Sequence, residues 1–222
     1  MGYSKVKYFF AALLMITSFI LYFFFYDFLL TIPIWVYNIL WLMFVIDILS
    51  VLIPGLTKHS SNGKHFKKFF KEANYSKEQL FDYIKNMRSR VLLTFILYIF
   101  FLLGIGFFYY FKIINRDHII LLVIALNFID YFCINTWCIF HKVFIRNRCC
   151  NTCRIYNWDH FFKFSPFIFI PEFRTLSLFI LGIISLLQWE INYALHPERF
   201  TDISNENLKC THCNHYCRFK NK

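Results

Sequence analysis

The chain is expected to fold as an all-α, polytopic integral membrane bundle, and three observations carry that expectation. Apolar residues make up 58% of the 222-residue sequence and charged residues 17%, a balance outside the range of soluble domains. Uncharged runs over residues 8–26, 28–46, 91–111 and 119–129 each approach, alone or with their flanks, the roughly 20 residues that cross a hydrocarbon layer of about 30 Å. Lys and Arg then gather in particular connecting segments, as they do on the inner side of multi-pass proteins. Backbone amides in lipid must be satisfied within their own segment, so the runs are read as helices.

Residues 1–55 read as a first helical hairpin. Its first arm, 8–26, follows Lys5 and Lys7; it is too long for a signal-peptide core and is read as an uncleaved span. Asp27 and Pro33 punctuate the connection, and the second arm stops at Pro54-Gly55. Residues 56–90 form a basic loop carrying nine Lys and Arg, from Lys58 to Arg90, and the positive-inside rule places it in the cytoplasm. Within it, Ser76-Lys77-Glu78-Gln79 has capping-box spacing, with Leu80, Ile84, Met87 and Val91 following at helical intervals. This predicts an amphipathic helix that runs into the next span.

A second hairpin covers 91–140, with spans at 91–111 and 119–140 joined by Asn115-Arg116-Asp117-His118. A Cys-rich loop, 141–157, leads into a third hairpin, 158–195. Its second arm, 175–193, is a clear span, whereas 154–173 is short, apolar and broken by Pro166 and Pro171. That arm could lie in the interface, enter as a half-helix or cross as a kinked span. The expectation is therefore five clear spans plus one short Pro-containing membrane segment, ending in a Cys-rich cytoplasmic tail, 196–222. The positive-inside rule favours a crossing by this arm, which puts both termini in the cytoplasm and leaves only Lys112, Arg116, Arg174 and Lys163 of the 24 Lys and Arg away from that side.

The net charge of +11 fits contact between the basic loop and anionic headgroups of the bilayer. No nucleic-acid motif accompanies it, and no nucleic-acid partner is expected. The 31 Phe residues accompany abundant Ile, Asn and Lys, the signature of a nucleotide bias more than of an aromatic ligand site. Walker loops, His-Glu-x-x-His, Gly-x-Ser-x-Gly and dinucleotide fingerprints are absent from the sequence, which removes the enzyme classes that carry them.

Site chemistry concentrates in six cysteines: Cys149, Cys150 and Cys153, then Cys210, Cys213 and Cys217. Thiolates two residues apart can hold one metal ion from a single turn of backbone, and in a reducing compartment such spacing favours metal ligation over disulfides. The expected cofactor is zinc or an iron–sulfur cluster, with His212 and His215 as further donors. For both clusters to share one site, residues 154–193 must leave and re-enter the same face. The stretch Cys149-Cys150-Asn151-Thr152-Cys153-Arg154-Ile155-Tyr156 resembles the cysteine-rich domain of membrane palmitoyltransferases. That family continues with Asp-His-His-Cys, where this chain has Asp159-His160-Phe161-Phe162, so the acyl-accepting cysteine has no counterpart and the activity is not implied.

Ionisable groups inside spans are costly and mark candidate sites. Asp47 lies near the cytoplasmic end of the second span and Asp130 near the middle of the fourth; a helical wheel puts Asn127, Asp130 and Cys138 on one side, where they could line a polar path. Asp159, His160 and Glu190 enter and leave the membrane at similar depth beside the cysteines, and are the candidate catalytic groups. Three functions fit: a membrane metalloprotein supporting redox, lipid or quinone chemistry; a small transporter or channel with a structural zinc clip; and a non-catalytic scaffold.

Overall fold

The computed structural model describes residues 3–56, 60–138, 140–147 and 149–212. Among these residues five helices are long and apolar enough to cross a membrane: α1 (Tyr3–Phe24), α3 (Ile34–Leu52), α5 (Lys77–Tyr110), α6 (Arg116–Asn135) and α8 (Phe173–Leu195). Three short helices join them, α2 (Tyr26–Thr31), α4 (Ser60–Gly63) and α7 (Asp159–Phe164). Among the described residues the regular structure is helical, apart from one antiparallel bridge between Glu72 and Asn205.

Local chemistry sets the helix starts. Ser76 accepts from the Gln79 amide and Gln79 returns the bond, the capping box expected there; α5 then runs unbroken through the amphipathic stretch into the span. Asn115 caps α6 reciprocally with His118, and Glu172 caps α8 with Thr175. The fourth span is shorter than expected. Its hydrogen-bond ladder closes at Thr136 N–H to Phe132 O, and the chain turns into a π-helical turn at Phe140–Phe144. Cys138 therefore leaves the helical face of Asn127 and Asp130, because the wheel that joined them stops at Asn135.

The contacts of residues 154–173 trace their course through the bundle. Trp158 meets Glu190 at the end of the bundle that carries the basic loop. Tyr98, midway along α5, bonds to Phe162 O and Ser165, and the Phe169 ring lies 2.8 Å from where a Cβ would stand on Gly106. At the opposite end Glu172 pairs with Arg116 at 2.7 Å, and Arg174 bonds to Asn38. The segment thus passes from one end of the bundle to the other as α7, a 3-10 turn at Ser165–Phe169 and the Pro171 corner. Pro166 lacks the N–H that would reach Phe162 O, four residues back; the Tyr98 hydroxyl supplies that donor at 2.7 Å, so no carbonyl is abandoned in an apolar layer. After α8 the tail returns to the basic end, where Ala73 N–H bonds to Ser204 O beside the Glu72–Asn205 bridge.

Among the described residues two clusters form the core. One joins Ile48, Ile105, Ile119, Val123, Phe164, Phe167, Ile170 and Leu178 within the bundle. The other joins Met87, Ile145, Ile155, Trp158, Trp189 and Phe200 at the basic end, where the Cys-rich loop and the tail close over α8. α7 packs between α6 and α8. Its approach to α8 is close because of Gly182: a Cβ there would stand 3.0 Å from His160 O and 3.3 Å from Phe161 Cα. Small residues at such contacts let helices associate in lipid, where apolar burial alone gives no drive.

Candidate functional site

The backbone contact at Gly182 sets the rotation of α7, and with it the position of two side chains one turn apart, Asp159 and Lys163. Lys163 Nζ sits among three carboxylates: 3.5 Å from Asp47 on α3, 3.6 Å from Asp130 on α6 and 3.7 Å from Asp159. Only 2% of the Lys163 side chain is exposed. On the far side of the cluster Lys7 of α1 pairs with Asp47 at 2.5 Å, and the Tyr131 hydroxyl donates to the same carboxylate at 3.3 Å. His160 Nδ1 lies 3.7 Å from Asp159 and is buried without a hydrogen-bond partner among the described residues. Carboxylates from α3, α6 and α7 thus converge on one ammonium, and a second ammonium, Lys7 of α1, pairs with Asp47.

This cluster forms part of the wall of a cavity of about 570 Å³ between α5 and α6, which make little direct contact beyond their connecting turn. Asp130, Asp159 and Lys163 are the charged side chains on its wall. The remainder is mainly aliphatic and aromatic, with Thr94 and the thiols of Cys133, Cys138 and Cys153. Phe140 and Phe144, placed by the early end of α6, close the basic end of this space. An apolar chamber with charge at one place fits an amphiphile held by its head.

Comparison with family models, curated proteins and solved structures finds no match for the chain. The site's chemistry rests on its own residues.

The sequence-predicted groups divide. Asp47, Asp130 and Asp159, assigned above to two separate sites, belong to one. Asn127 is buried one turn from Asp130 but is not on the cavity wall, and its Oδ1 has no hydrogen-bond partner among the described residues. Glu190 stands apart from Asp159 and His160. It receives both terminal nitrogens of Arg154, at 2.8 and 2.5 Å, and the Trp158 indole N–H at 2.6 Å.

The two cysteine segments approach one another. Asn151 Nδ2 donates to Leu208 O, two residues before Cys210. Cys149 is half-buried, Cys153 buried and Cys210 exposed. Burial pushes the Cys153 thiol up to about 11, which keeps it protonated at neutral pH. Among the described residues no three His, Cys, Asp or Glu groups converge in a metal-binding arrangement. Cys213, Cys217 and His215, and the side chains of Cys150 and His212, lie outside what the structure describes.

Sequence reasoning missed three cations. Lys163 was read only as a residue within the hairpin, although its i,i+4 spacing from Asp159 was the available signal. Lys64, grouped with the loop's headgroup contacts, is fully buried and donates to Cys153 O at 2.7 Å and Asn151 O at 3.3 Å. Its ammonium lies 5.0 Å from the Trp189 ring centre, and burial lowers it to about 7. Arg154, among the cysteines, is the third; its guanidinium carbon sits 3.5 Å from the Tyr193 ring centre.

Proposed function

We propose that this multi-pass membrane protein binds a lipid-like amphiphile in the cavity between α5 and α6, holding its polar head at Asp130, Asp159 and Lys163. The observation that carries this reading is the separation of chemistry on the cavity wall: charge at one place, apolar side chains around the rest. Such a chamber accepts a long apolar body from the bilayer without desolvating anything but the head. Of the classes open from sequence, handling of a lipid or quinone is closest to this geometry. The transporter reading draws support from the same cluster, since Lys7, Asp47, Lys163 and Asp130 form a connected set across four helices.

Photolabelling with a diazirine-tagged single-chain lipid tests the binding reading. Label should fall on α5 and α6 peptides containing Leu97, Phe101 and Leu126, which line the cavity. Ile134→Trp, which places an indole in that space, should reduce labelling about tenfold. Equal labelling of the variant at the same peptides would reject the cavity as the site.

The cysteines fit a second role at the basic end: a zinc or iron–sulfur clip fastening the tail to the 149–153 segment, supported by the Asn151–Leu208 hydrogen bond that brings the segments together. Elemental analysis of purified protein should then return near-stoichiometric zinc or iron, and its absence with six freely labelling thiols would reject the clip. In this reading the basic loop, with Lys67, Lys68, Lys71 and Lys77 exposed beside the tail, faces the cytoplasm and its anionic headgroups.

A further inference from the structure

The charges of the buried cluster do not balance, and the imbalance lies on the cavity wall. Three carboxylates, Asp47, Asp130 and Asp159, meet two ammonium groups, Lys7 and Lys163. Lys7 is matched to Asp47, which does not line the cavity. The single charge of Lys163 is then shared between Asp130 and Asp159, both of which do. One negative charge remains uncompensated in apolar surroundings, where an unmatched ion is strongly disfavoured. Either a proton or a cation must neutralise it.

Resting on the amphiphile-binding reading above, we infer that the cavity selects amphiphiles with a cationic head, and that the head takes its place by displacing one proton from the Asp130–Asp159 pair. Charge in the cluster is conserved: one positive head enters and one proton leaves to water. Two further observations point the same way. His160 Nδ1, in a side chain 4% exposed, has no hydrogen-bond partner among the described residues and lies 3.7 Å from Asp159, a buried ring nitrogen in reach of the exchanging proton. The cavity that holds the carboxylates is also lined by aromatic rings, those of Tyr98, Phe140, Phe144, Tyr156 and Phe162. Aromatic faces attract quaternary ammonium groups and do nothing comparable for an anionic head.

The titratable and charged groups facing the pair come from every element packed on it. They are Lys7 from α1, Asp47 from α3, Tyr98 from α5, Tyr131 and Cys133 from α6, and His160 and Lys163 from α7. Cys138, Cys153 and Tyr156 complete the wall at the basic end. Among the described residues the two lysines are the cations, and both are already counted.

The test uses the full chain in nanodiscs of zwitterionic lipid, with empty discs as the blank, and three probes of equal chain length: dodecyltrimethylammonium, laurate and dodecanol. Calorimetric titration in two buffers of different ionisation enthalpy counts the protons. Dodecyltrimethylammonium should bind at least tenfold more tightly than the other two and release about one proton, with affinity falling as pH is lowered. Asp130→Asn, which removes the surplus charge and keeps the shape, should abolish both the preference and the release. The wild-type proton count and pH dependence decide the matter should that variant not fold. Equal binding of the three probes overturns the cationic selectivity while leaving amphiphile binding intact. A cation preference without proton release overturns the exchange. Failure of every probe to bind, with lipid photolabelling unaffected by Ile134→Trp, removes the cavity reading and this inference together.

Discussion

Replacing Lys163 with Met should destabilise the bundle by about 3–5 kcal/mol, the usual penalty when one partner of a buried ion pair is deleted. The expectation is at the upper end because this ammonium serves three carboxylates within 3.7 Å and its side chain is 2% exposed, so water has little access to replace it. Removing it leaves Asp130 and Asp159 facing each other with no cation, and Asp47 with Lys7 alone. Acidification should narrow the deficit, because protonation removes the charges that Lys163 no longer offsets. The triple variant Lys163→Met, Asp130→Asn, Asp159→Asn should recover more than half of the loss, since replacing a whole buried ionic set is far milder than breaking it. Thermal unfolding in neutral detergent, compared across the three proteins, measures this. A single variant as stable as the wild type would show that the carboxylates are neutralised without Lys163.

That expectation rests on a group whose importance hydropathy could not reveal. The long helices were legible because a membrane span has a one-dimensional signature: about 20 uncharged residues whose amides must be paired internally. The capping boxes at Ser76 and Asn115 were legible for a related reason, as they involve residues three apart in sequence. The charge cluster has no such signature. Asp47 and Lys163 are 116 residues apart, and nothing local states that α7 will be driven between α6 and α8 by the missing side chain at Gly182. The prolines of 154–173 left three courses open for that arm: in the interface, as a half-helix or as a kinked span. The prolines are accommodated because a distant tyrosine, Tyr98, supplies the donor that Pro166 lacks, a tertiary solution to a local defect. Lys64 illustrates the converse: a basic loop suggests solvated lysines, yet carbonyls at Asn151 and Cys153 and the Trp189 face make one of them interior.

Glu190→Leu should loosen the basic end of the molecule and leave the transmembrane core in place. Glu190 accepts three hydrogen bonds, two from the buried Arg154 guanidinium and one from the Trp158 indole. Arg154 in turn stacks on Tyr193, and its carbonyl accepts from Trp189 at 2.8 Å. One carboxylate on α8 therefore fastens the Cys-rich segment across two of its turns. A hydrogen bond to a charged group contributes about 1.5–3 kcal/mol, and partial exposure of Glu190, 36% of its side chain, puts the loss near the lower end of what three such bonds would suggest. The loss should be local. Cys153 is held under this knot, whereas Cys133 belongs to α6, so maleimide labelling of Cys153 should accelerate severalfold while that of Cys133 stays at its wild-type rate. Glu190→Gln separates the two components of the knot: the amide oxygen keeps an acceptor for Trp158, but the Arg154 charge loses its counter-ion. If Gln behaves as Leu does, the ion pair holds the segment down; if Gln behaves as wild type, the indole bond and the stacking on Tyr193 suffice. Accelerated labelling of Cys133 as well would mean that the cap and the cavity between α5 and α6, which share Cys153 on one wall, open as a single unit.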